Sequence, residues 1–90
     1  MSKIFHVSWS VPPVDVTGVV IQCDINGAGF VDFNAVLPSP TTHDITVTAP
    51  VGSPVGIRVI FVNAVGRSLP SNVVIVHMDD VPVPPVITAT

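Results

Sequence analysis

The sequence predicts an all-β protein, a sandwich of two antiparallel sheets, on three observations. Twenty of the 90 residues are Val, and β-branched side chains, stiff at χ1, suit a pleated, half-buried surface better than a helix. Apolar and polar residues alternate in short runs with a period of two, the period of a strand. Pro, Gly and Asn clusters interrupt those runs at intervals of 8 to 15 residues, the spacing of turns in a sandwich.

The first run sets Phe5, Val7, Trp9 and Val11 against His6, Ser8 and Ser10, so residues 5–11 read as a half-buried strand that Pro12 and Pro13 stop. Residues 18–25 place Val19, Ile21, Cys23 and Ile25 on one face and Val20, Gln22 and Asp24 on the other. Asn26-Gly27-Ala28-Gly29 offers residues that tolerate positive φ, the chemistry of a tight hairpin, and residues 30–36 form the returning strand. Leu37 to Thr42 is a connection, because Pro38 and Pro40 fit neither helix nor central ladder. Residues 44–49 make a strand with Ile45 and Val47 inward, and residues 50–54 turn the chain. Residues 56–63 hold IRVIFV, the most continuous β-prone run, expected at the centre of a sheet. Residues 72–78 are the last clear strand.

Composition narrows the function. Lys3, Arg58 and Arg67 stand against six Asp and no Glu, for a net charge of −3. No basic stripe exists to neutralise a phosphate backbone, so nucleic acid is not an expected partner. Mean hydropathy is +0.70, but no run approaches the ~20 apolar residues of a spanning helix, and no membrane insertion is expected. The apolar surplus is to be buried against protein. Cys23 is the single cysteine; it leaves no internal disulfide and reads as a small core residue. MSKIFHVSWS has no apolar signal region or cleavage site, so the product is expected to be made in a cytoplasm and carried elsewhere by lysis, by a partner or within a particle.

No catalytic, cofactor-binding or metal-binding residue is assigned. His6, His43, His77, Cys23 and Asp79 match no zinc spacing. No G-x-S-x-G elbow occurs, NGAG lacks the helix and basic residue of a phosphate loop, and the Asp residues are scattered. An enzyme is therefore not expected.

VSWSVP at 7–12, TGVVIQ at 17–22 and RVIFVNAVGRSLPS at 58–71 resemble a fibronectin type III domain. The match extends over residues 4–78, and its last run agrees in spacing, loop Gly and Pro-Ser. The resemblance implies a sandwich of sheets A-B-E against C′-C-F-G, with Trp9 in the core near Val59 and Ile21. It departs in two ways. The family's Tyr at the corner before strand F falls at Val55 and its Leu partner at Ala49, so a looser corner is expected. Only eight residues precede Trp9, and strand B uses them, so strand A is expected to be absent or supplied by the C-terminal tail.

That tail, VPVPPVITAT at 81–90, carries no charge, whereas a free tail is usually polar. It resembles the connector between tandem fibronectin type III domains, which continues into strand A of the next. Residues 1–80 thus read as the sandwich and 81–90 as a candidate donated strand, with Val83, Pro84, Pro85, Val86, Ile87 and Thr88 as partner-binding residues. Arg67 at a loop tip and Pro12 and Pro13 in the first loop complete the candidates, since loops on a rigid scaffold often carry recognition. The function expected is a non-catalytic structural or decoration protein of a larger assembly, most naturally a phage virion. Its partners would be its own copies, as a homo-oligomer or in many copies on a particle, or a major structural subunit. The alternative is a monomeric module that recognises a protein or glycan through its loops.

Overall fold

The computed structural model describes residues 1–78. The acidic pair and the tail, with its six candidate residues Val83, Pro84, Pro85, Val86, Ile87 and Thr88, lie outside the described residues. Six strands follow in chain order: β1 (Ser2–Ser8), β2 (Gly18–Ile25), β3 (Val31–Val36), β4 (Thr42–Thr48), β5 (Pro54–Val62) and β6 (Val74–His77). All neighbours pair antiparallel, in a two-stranded sheet β1-β4 and a four-stranded sheet of order β3-β2-β5-β6. The IRVIFV run lies in β5, a central strand, as its continuous apolar character requires.

The two sheets enclose one core. Val7 and Trp9 from the β1 side and Ile45, Val47 and Ala49 from the β4 side meet Val19, Ile21 and Cys23 of β2 and Val55, Ile57 and Val59 of β5. Met78, fully buried, closes the end beyond β6. Trp9, Val59 and Ile21 share this cluster. The indole Nε1 of Trp9 donates to the Pro38 carbonyl at 3.3 Å, which satisfies its polar edge.

The first strand differs from the expectation of residues 5–11. It begins at Ser2 and ends at Ser8; the Trp9 N–H still donates in register to the Thr41 carbonyl at 3.0 Å, and beyond it the connection that holds Pro38 and Pro40 offers no partner strand. Val11, expected on the buried face, is 85% exposed in the loop that follows. β4 starts earlier than expected, at Thr42, because the longer pairing with β1 runs from Ser2↔Thr48 to Ser8↔Thr42.

β6 is shorter than expected, and two serines explain why. The Ser71 hydroxyl accepts the Val59 N–H at 2.9 Å while the Ser71 N–H donates to the Val59 carbonyl. Ser68 repeats the arrangement on Phe61, its hydroxyl accepting at 3.0 Å and its N–H donating at 2.8 Å. Along the upper half of β5, serine side chains thus take the acceptor role of a paired strand, so Pro70 can lie between them without orphaning a donor of β5.

β3 carries a bulge opposite Ile21 and Gln22. Phe33 and Val36 are three apart, on opposite faces of a regular strand, yet both pack against the core; the extra residue reconciles them. The hairpin before it turns through Asn26 and Gly27 at φ 58° and 74°, with Ala28 N–H donating to the Ile25 carbonyl at 3.2 Å.

At the 49–54 corner, expected to be looser, Val55 is fully buried and three backbone bonds join the segment to itself and to Met78. Met78 N–H donates to the Ser53 carbonyl at 2.9 Å, Ser53 N–H to Pro50 at 3.1 Å, and Gly52 N–H to Met78. The buried Ser53 hydroxyl accepts from Asn26 Nδ2 at 3.2 Å.

Candidate interaction surfaces

Antiparallel pairing sorts the connections to two poles. At one, Met1, the 26–29 turn, the 49–53 corner and Met78 gather: Ala49 N–H donates to Met1, Asn26 N–H to Pro54, and Met78 N–H to Ser53. At the other, the loops at 9–17, 37–41 and 63–73 come together. Trp9 bonds Thr41 there, Thr17 N–H donates to Val62 at 2.8 Å, and Asn63 Nδ2 donates to Asp15 at 3.0 Å. Asn63 Oδ1 also accepts the N–H groups of Val65 and Gly66, which fixes the tip of the last loop.

This loop pole is apolar at its surface. Val11, Val14, Leu37, Val65 and Leu69 are 73% to 106% exposed, whereas every other large exposed hydrophobic residue among the described residues is 60% or below. Pro12 and Pro13 lie in the same group of loops, with the Pro13 carbonyl accepting the Val16 N–H at 3.1 Å. A shallow groove along the 37–41 connection is lined by Leu37, Pro40 and His43.

Arg67 is not a free cation at a loop tip. Its guanidinium bonds both oxygens of Asp32 on β3, Nη1 to Oδ1 at 3.0 Å and Nη2 to Oδ2 at 2.8 Å. The pair belongs to a polar row on the outer face of the four-stranded sheet. Gln22 Nε2 donates to Asp32 Oδ1 at 2.9 Å, and Arg58 Nε donates to Gln22 Oε1 at 2.8 Å. The Arg58 guanidinium stacks over Phe30 at 3.9 Å from the ring centroid. Hydrogen bonds from Arg67 and Gln22 hold the Asp32 carboxyl down to about 2. Sequence reasoning missed this row because its members come from β2, β3, β5 and two loops; the outward alternation of Gln22 and Arg58 was the only local signal.

The third surface is the edge of β1. One side of the strand pairs with β4 over its whole length; on the other, Ser2–Val7 pair with no strand among the described residues. His6, exposed as expected, meets Asp44 at 2.5 Å across the outer face of this sheet. Among the described residues, no three His, Cys or Asp side chains gather closely enough to hold a metal ion. No helix there is long and apolar enough to cross a membrane.

Compared with protein-family models, with curated proteins and with solved structures, the chain finds no match.

Proposed function

We propose that the chain is a fibronectin type III-like, non-catalytic structural protein that joins a multicopy assembly by strand addition. In this reading β1 and β4 take the places of strands B and E, and β3, β2, β5 and β6 those of C′, C, F and G. The sheet orders β1-β4 and β3-β2-β5-β6 support that correspondence.

One observation carries the functional part. The sheet that holds β1 has two strands and faces a sheet of four, and the side of β1 away from β4 is where strand A of that fold would lie. Residues 83–90, of matching length and apolar character, are the strand proposed to complete it on a neighbouring copy. Repetition of such a contact gives a filament or a closed ring. A phage virion, as head or tail accessory, is the setting proposed for a chain so poor in charge and so apolar.

The test is light-scattering mass on size-exclusion chromatography for the full chain and for V86D/I87D, which places two charges in the donated strand. The full chain is expected to form multimers and the variant to run as a monomer. Two monomers of equal stability would refute strand donation and favour the second reading, a monomeric binding module. The stacked Arg58 and Phe30 on the outer sheet face would then be the first residues to probe.

A further inference from the structure

We infer that the apolar loop pole is the docking surface for the opposite pole of a second copy of this chain. The inference rests on the strand-donation reading and adds a second, independent contact to it.

Chain length supplies the argument. The last described residue, Met78, is bonded into the 49–53 corner at the pole that also holds Met1. β1 is seven residues long and runs from that pole to the loop pole. A donated strand antiparallel to β1 must therefore enter the receiving copy at its loop pole. If residues 83–90 pair along β1, residues 79–82 are all that separate Met78 of the donor from the receiver's loops. Four extended residues span about 13 Å. The donor's Met1 pole is thereby brought against the receiver's loop pole.

The surfaces suit that contact. Val11, Val14, Leu37 and Val65 lie exposed on the loops where the donor arrives, with Leu69 on the segment that flanks the end of β5, and Met1 and Val51 are exposed at the pole it presents. Of the two charged residues of these loops, Arg67 is neutralised by Asp32 and Asp15 accepts a hydrogen bond from the Asn63 amide, so the cation at this pole is already paired. A bilayer fits the same loops less well. Interfacial loops usually combine aromatic and basic side chains, and this pole has only the buried Trp9 and the paired Arg67.

The test uses full chains: wild type, V14D/L69D at the pole and V86D/I87D in the tail. Association is followed by light scattering, and binding of a labelled synthetic peptide of residues 81–90 by fluorescence anisotropy. V14D/L69D is expected to weaken association about tenfold or more, because a charge is buried at the contact, while binding the peptide as wild type does. Association of V14D/L69D equal to wild type would overturn the pole contact and leave strand donation standing. Association of V86D/I87D equal to wild type, with V14D/L69D monomeric, would keep the pole contact and refute the donated strand. Loss of both association and peptide binding in V14D/L69D would place the effect at the β1 edge and overturn the inference. So would a monomeric wild type, or binding to phosphatidylcholine vesicles that V14D/L69D abolishes.

Discussion

Arg67 grips Asp32 in a bidentate pair across the outer face of the four-stranded sheet, with nitrogen to oxygen distances of 3.0 and 2.8 Å. To do so, the loop after β5 reaches past β2 to the edge strand β3, so the contact joins the two ends of a three-strand span. Fork geometry on a carboxylate is directional in a way a lysine contact is not.

The pair predicts an acid dependence. Asp32 titrates at about 2 in the folded chain against an ordinary value of 3.8. A depressed folded pKa contributes stability that is present above the unfolded value and lost as pH falls through the folded one, here between about 4 and 2. In R67A the Asp32 carboxyl, followed by NMR, is expected to titrate closer to 3.8, and that variant to lose less stability over the same acid range. An unchanged Asp32 titration in R67A would show that the contact does not hold in solution.

Cys23 is buried in β2, and burial raises its thiol from 9.0 to about 11. Because the folded value is the higher one, stability is present below pH 9 and is lost as pH rises towards 11. At pH 8 the native thiol is expected to resist a disulfide reagent and to react within the mixing time in denaturant. Rapid stoichiometric labelling of the folded protein would contradict the packing of β2.

Gly56 faces Phe30. A methyl group there would lie 3.2 Å from the ring Cζ, and Arg58 stacks on that ring, so the ring has little freedom to retreat. G56A is expected to cost about 1–3 kcal/mol in urea unfolding, as overpacking does. The cost should shrink in a G56A/F30L background, and an additive double mutant would disprove the clash.

Ser71 stands in for a strand partner of β5. In S71A the Val59 N–H, on a buried residue, loses its acceptor at 2.9 Å, an expected loss of about 1–3 kcal/mol. Hydrogen exchange at Val59 should quicken well beyond that at Ile57, which pairs with Val74 on β6. Equal protection at the two amides would show that the hydroxyl is dispensable.

Local chemistry determined much of this protein. The period-two runs, the Asn26-Gly27 turn and the Pro breaks specify six strands, and β2 matches its expected range of residues 18–25 because alternation and turn signals agree at both ends. The inward sets of β2 and β4 were equally legible, since a period of two leaves one face for the core. Only the tertiary structure decided where alternation yields. Val11 continues the alternation of β1, yet the pairing with the β4 side ends at the in-register bond from Trp9 to Thr41, and Val11 lies in solvent. The bulge that turns both Phe33 and Val36 inward, the serines that replace a strand beside Pro70, and the capture of Arg67 by Asp32 each depend on residues far apart in the chain. The gathering of five apolar loop residues at one pole follows from strand direction across two sheets, and no window of sequence contains it.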